Sequence, residues 1–218
     1  METNPKKLLS ALALIIVFIS FFLWREVRNY RSISTEMISE PLIADSATAL
    51  PITSDDQILG NPGAPLTIVE YIDLNSPESK NLNYTITKFV NENPLKARVI
   101  FKHYTKSSIF SKNDLPNRAA WCAGRQKKLW EYVSLIDKEK KSIKPEALSA
   151  IAREAKLNFN MWKACFDSEQ STTAIAAETL EAKKLGLGDP PLIFVNNKKL
   201  NTDLEFNLSE FFISLIAN

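Results

Sequence analysis

The ten residues Pro65–Leu74 constrain this chain more than any other segment, because they form a β-rich run that is apolar on both faces and stops at a helix start. Ile68, Glu70, Ile72 and Leu74 fall on one face, and Thr67, Val69, Tyr71 and Asp73 on the other, since side chains alternate along a strand. A strand with apolar residues on both sides needs cover on both sides, so it is expected in the middle of a sheet with helices above and below. Asn75-Ser76-Pro77 then opens a helix: Ser76 suits the N-cap, Pro77 the first helical position, and Glu78 complements the helix dipole. This helix is expected to run to about Glu92.

Downstream, Ala97 to Thr105 reads as a second strand. A largely helical stretch follows from Asp114 to about Leu185, broken near Ser142–Pro145 and near Asn158. Leu192–Val195 reads as a third strand, Asn196-Asn197 as a hairpin turn, Lys198–Asn201 as a fourth strand and Leu208–Ala217 as a closing helix. Strand, helix, strand, helical block, hairpin and helix define an α/β fold with helices on both sheet faces.

Ahead of this domain, Leu8 to Trp24 is apolar except for Ser10 and Ser20, with Lys6-Lys7 before it and Arg25, Arg28 and Arg31 after. A helix of that length spans roughly 25 Å, enough for a thin bilayer crossing. No Ala-x-Ala cleavage pattern follows it until Ala47-Thr48-Ala49, so an uncleaved anchor is expected in preference to a signal peptide. The sequence organisation is therefore a cytoplasmic terminus (1–7), a transmembrane helix (8–24), a linker (25–54) without helical or strand periodicity, and a folded domain (55–218). The net charge of +2, with no long basic run, gives no footprint for nucleic acid. One histidine and two cysteines cannot furnish the four ligands of a structural zinc site, so no metal is expected.

Four motifs in the domain resemble the DsbA-like branch of the thioredoxin superfamily. Gly60-Asn61-Pro62 with Ala64–Tyr71 and Asp73 is similar to its opening strand. Ala119-Ala120, Cys122-Ala123-Gly124 and Trp130-Glu131-Tyr132 are similar to its inserted helical block, as are Ala164-Cys165 and Asp167-Ser168. Lys184-Leu185-Gly186-Leu187 through Pro191, with Phe194-Val195-Asn196, is similar to its cis-proline loop and following strand. The resemblance implies a thioredoxin-like fold with a helical insertion at about 114–185, and a domain exported to the periplasm or extracytoplasmic side of a single-pass anchor.

The resemblance also locates a departure. Where the family carries Cys-x-x-Cys, this chain reads Ser76-Pro77-Glu78-Ser79. Disulfide exchange requires a thiolate that attacks sulfur and a sulfur that leaves, and a serine hydroxyl stays protonated near neutral pH. Exchange at that site is expected to be absent. Glu70 stands where the family often buries an acid that tunes its cysteine; both burial and a strand-edge carboxylate reaching water or a lysine remain open. Pro191 matches the cis-proline, whose loop implies binding of an extended peptide by strand addition, while Pro190 before it lacks an N–H and weakens that mode. His103 is expected to be structural, and the lysines around Lys138–Lys144 to be a solvated helix end. Cys122 and Cys165, both expected to face inward from helices, are candidates for a disulfide, with two separate buried thiols as the alternative.

Three functions fit. The first is a non-catalytic binding, assembly or chaperone-like module taking an extended peptide or protein partner near Ser76, Glu70, Pro190 and Pro191, without a cofactor. The second follows from a further resemblance, since Ser-Pro-x-Ser is similar to the start of kappa-class glutathione transferases and their isomerase relatives; it implies glutathione as ligand, with its thiolate held by Ser76. The third is residual oxidoreductase activity through Cys122 and Cys165, whose helix-interior positions are unlike the family's reactive geometry.

Overall fold

The computed structural model describes residues 16–25, 50–106, 114–139, 143–201 and 207–217. The chain divides into two units, Met1–Pro41 and Leu42–Asn218. In the first, residues 16–25 are helical (α1), with the rings of Phe21 and Trp24 6.2 Å apart. Among the described residues no helix is long and apolar enough to cross a membrane. Residues 8–15 of the expected span and 26–49 of the expected linker lie outside the described residues.

The second unit is built on a five-stranded sheet in the order β1-β3-β2-β4-β5: β1 Gln57–Gly60, β2 Leu66–Ile72, β3 Ala97–His103, β4 Leu192–Val195 and β5 Lys198–Lys199. The two-faced apolar run becomes β2, flanked by β3 in parallel and β4 antiparallel. Helix α2 (Pro77–Glu92) makes the crossover from β2 to β3. Ile68, Ile72 and Leu74 pack into one core with Ile86, Phe89 and Phe212. Val69 and Tyr71 pack into a second core on the opposite face with Ile100, Phe194 and Ala182. The alternation of β2 thus sets the layering, as the sequence implied.

Between β3 and β4 lies the helical block: α3 Leu115–Gly124, α4 Leu129–Ile136, α5 Pro145–Glu154, α6 Phe159–Asp167 and α7 Glu169–Lys184. The closing helix is α8, Leu208–Ile216. The block breaks more often than the sequence suggests. Lys127 adopts a positive φ of 59° between α3 and α4, and Ser168 is extended between α6 and α7. Asn196 and Asn197 both have positive φ (47° and 66°), as a two-residue hairpin requires. The expected strand Lys198–Asn201 is shorter, reduced to β5, although Leu200 N–H still donates to the Ile193 carbonyl at 2.8 Å.

β1 was not legible from the pattern. It is a half-buried edge strand of four residues, paired antiparallel to β3 with Gln57 opposite Phe101. It ends at Gly60, where φ is +90° and a Cβ would lie 2.3 Å from the Ala97 carbonyl oxygen; only glycine fits there. Leu50 is buried in the second core, so packed chain begins ahead of Asp55. Of the expected solvated lysine stretch, Lys138 and Lys144 are exposed, and Lys140 and Lys141 lie outside the described residues.

Candidate functional site at the start of helix α2

The loop from β2 into α2 is held by side chains distant in sequence. Leu74 N–H donates to Asn117 Oδ1 at 2.9 Å, and Asn117 Nδ2 donates to the Ile72 carbonyl at 3.3 Å. The Asp73 carboxylate accepts from the N–H groups of Asn75 at 2.9 Å and Lys106 at 3.0 Å. Ser76 has extended φ and ψ (−88°, 127°), and its Oγ accepts from Ser79 N–H at 3.3 Å, as an N-cap does. Ser79 is buried, and its own Oγ accepts from Asp73 N–H at 3.3 Å. Pro77 and Glu78 are exposed and Ser76 is half-buried. Both hydroxyls thus serve the backbone.

The Pro190–Pro191 peptide bond is cis. Pro191 precedes Leu192, whose sheet partner is Tyr71, so the cis bond and the α2 start share one end of the sheet. Pro190 supplies no N–H there. The loop before it is pinned from both sides: Tyr104 Oη donates to the Gly188 carbonyl at 2.5 Å, and Lys199 Nζ to that of Leu187 at 3.2 Å.

Behind the helix start lies a buried polar group. Glu70 is 0% exposed, and neither carboxylate oxygen has a hydrogen-bond partner; the strand-edge alternative is therefore excluded. Burial holds its carboxyl well above the ordinary range, and the nearby Asp137 carboxylate raises it further. Asn83 Nδ2 donates to Asp137 Oδ2 at 2.5 Å, while Asp137 Oδ1 and Asn83 Oδ1 have no partner. Burial pushes the Asp137 carboxyl up to about 7, opposed by the Asn83 bond and by Lys80. Lys80, buried beside it, donates through Nζ to the Glu139 carbonyl, and burial lowers its pKa. A carboxyl that stays protonated in this interior avoids the large cost of a buried charge.

The two cysteines are bonded to each other. Cys122 on α3 and Cys165 on α6 have Cα atoms 5.8 Å apart, within the range that a disulfide needs. Cys122 is buried and Cys165 half-buried. Trp162 Nε1 donates to the Ala119 carbonyl at 3.0 Å across the same helix pair. No thiol is free. His103 is buried against Phe101, with centroids 4.9 Å apart, and burial holds its pKa down to about 3. Among the described residues no group of three or more His, Cys, Asp or Glu could hold a metal ion.

The structure brings Ser76, Ser79 and the Pro190–Pro191 turn to one end of the sheet, with Glu70 behind in the core facing Asp137. It keeps Cys122 and Cys165 in the helical block. Sequence reasoning missed Asp73, Lys80, Asn83, Asn117 and Asp137. Only Asp73 carries a local signal, two residues before Asn75.

Comparison with known proteins agrees with this architecture. A family model described as thioredoxin matches residues 53–213. A thioredoxin-like oxidoreductase from Silicibacter pomeroyi shares the fold at a TM-score of 0.62 with 21% identity, over 75% of this chain and 91% of that one. BdbD from Bacillus subtilis, in oxidised form, gives 0.64 and 18%, over 80% and 97%. The thiol-disulfide exchange protein alpha-DsbA2 from Wolbachia pipientis gives 0.62 and 13%, over 75% and 87%. A curated relative, the Na(+)/H(+) antiporter NhaA 1 of Salinispora arenicola, is 23% identical over 155 residues, and the chain spans only 23% of its length. With its helical block between β3 and β4, this chain shares the fold of these structures and is a member of the thioredoxin family.

Proposed function

We propose that this chain is an exported, membrane-tethered DsbA-like domain that binds an extended peptide or protein partner and does not exchange disulfides at the usual place. The observation that carries the reading is the pair of hydroxyls at the start of α2. Ser76 Oγ and Ser79 Oγ each accept a backbone N–H, and the chain's two cysteine sulfurs are bonded to each other elsewhere. A helix terminus stabilises an anion, but without a thiol the nucleophile of exchange is missing. The end of the sheet that holds Ser76 and the cis Pro190–Pro191 bond supports strand-like docking of a peptide, with one backbone donor fewer because of Pro190. The apolar run at 8–24 between basic flanks supports the tether.

Titration of the ¹⁵N-labelled full chain in detergent with unfolded polypeptide tests the binding role. Shifts confined to residues around Ser76 and Pro191 are expected; shifts spread evenly, or none, contradict it. Glutathione is the competing ligand in the same experiment. On this reading it leaves the Ser76 and Ser79 amides unmoved, and a saturable shift there would favour a glutathione-dependent enzyme instead. Carbonate extraction of native membranes tests the tether, with retention in the pellet expected and release into the supernatant contradicting it.

A further inference from the structure

A polar cleft lies on the β1 side of the sheet, beside the last residues of β3. β1 begins only at Gln57, opposite Phe101, so the edge of β3 at Lys102 and His103 has no strand beside it. The Glu178 carboxylate of α7 takes over that edge, accepting the His103 N–H at 2.7 Å. Between α7, α3 and this edge opens a cleft of about 460 Å³, within the size range of small-molecule sites, roughly 300–1,000 Å³.

The charges in it do not balance. On the floor, Lys102 Nζ lies 2.8 Å from Asp56 Oδ1 and 3.8 Å from Glu181 Oε1. One ammonium thus faces three carboxylates: Asp56, Glu178 and Glu181. Two buried atoms in the lining are without a hydrogen-bond partner, Glu181 Oε1 and the Nδ1 of His103, whose side chain belongs to a residue only 4% exposed. The mouth has the opposite sign. Arg125 and Lys127 are exposed there, with the Arg125 guanidinium 5.7 Å from the centre of the Trp121 ring. The acids do not converge closely enough for a metal ion among the described residues, whereas an organic cation, with several N–H donors, can reach carboxylates spread over a floor.

We propose that this cleft is a ligand site for a small zwitterion, with an ammonium or guanidinium group directed at Glu178 and Glu181 and a carboxylate held at the mouth by Arg125 and Lys127. A free basic amino acid and the C-terminal basic residue of a peptide present the same chemistry. The site is independent of the reading of Ser76 given above.

Calorimetric titration of the full chain in detergent with L-arginine, agmatine and the tripeptide Ala-Ala-Arg tests the proposal. Arginine is expected to bind, and agmatine, which lacks the carboxylate, more weakly. Glu178→Gln keeps an acceptor for the His103 N–H and removes the charge, and it is expected to weaken arginine by roughly tenfold or more, the worth of a charge-assisted hydrogen bond. Glu181→Gln, on a partly exposed side chain, gives the same direction should Glu178→Gln fail to fold. Arg125→Ala is expected to weaken arginine and leave agmatine unchanged. Tripeptide affinity equal to that of arginine assigns a peptide terminus, and binding of arginine alone assigns the free amino acid. No binding of any of the three probes overturns the proposal, as does arginine binding that neither acidic substitution alters.

Discussion

At the start of α2 the chain has a capped helix terminus, a buried acid behind it and a cis-prolyl turn at the same end of the sheet, but no sulfur. In the helical block it holds both of its cysteines, bonded between α3 and α6. The contrast separates scaffold from chemistry. The features that position a reactive group at α2 follow from backbone needs that serine meets as well as cysteine: a cap for orphan N–H groups, a proline at the first helical position, a loop pinned by Asn117 and Asp73. Those needs place no demand on a thiolate. In the helical block, by contrast, the sulfurs join two helices and their role is covalent closure.

The largest expected effect comes from placing sulfur at the start of α2. Replacing Ser76→Cys and Ser79→Cys together is expected to create a reducible pair where there was none, seen as dithiol-dependent insulin reduction above the background of the unaltered chain. Failure of a correctly folded double variant to form that pair would show that the α2 start lacks the geometry for disulfide exchange.

On the other side of the comparison, removing the Cys122–Cys165 bond by a double substitution to alanine is expected to cost up to about 4 kcal/mol for a closed loop of this length, the two cysteines being 43 positions apart. Urea denaturation measures it. A loss below about 1 kcal/mol would remove the structural role of the bond.

A smaller effect is expected from pH. Asp137 and Glu178 are both pushed up to about 7, and Glu70 is raised well above the ordinary range, in each case chiefly by burial. A carboxyl raised in the fold contributes stability that is complete below its unfolded pKa, near 4, and is lost as pH rises through its folded value. His103, held down to about 3, acts in the opposite sense but only below about pH 6.5, where the unfolded imidazole gains its proton. Between pH 6.5 and 8.5 the carboxyls therefore dominate this pair of effects, and stability is expected to fall by on the order of 2 kcal/mol. Asp137→Asn makes that slope shallower. An unchanged slope in the variant contradicts the assignment of a buried, protonated group behind α2. The smallest expected effect is that of Ser76→Ala, which removes the cap and costs about 1 kcal/mol in the same denaturation experiment.

The parts of this architecture that the sequence made legible are those with local signals. The alternation of Pro65–Leu74, the Ser76-Pro77 helix start and the Asn196-Asn197 hairpin each carry their own chemistry within a few residues. The polar interior does not. Asn117 meets Leu74 across 43 positions, Asp137 meets Asn83 across 54, and Glu178 meets His103 across 75, so nothing in the neighbourhood of any of them marks its role. β1 escaped for another reason: four residues at a half-buried edge, including one glutamine and one glycine, are too few to show a period. The disulfide was half legible, since helical spacing turned both cysteines inward but could not decide between a bond and two thiols.

Disulfide exchange by the unaltered full chain, assayed beside its Cys122→Ala/Cys165→Ala variant and the Ser76→Cys/Ser79→Cys variant, tests the central claim most directly. Background activity is expected from the first two and activity above background from the third. Exchange by the unaltered chain that survives loss of Cys122 and Cys165 would contradict it.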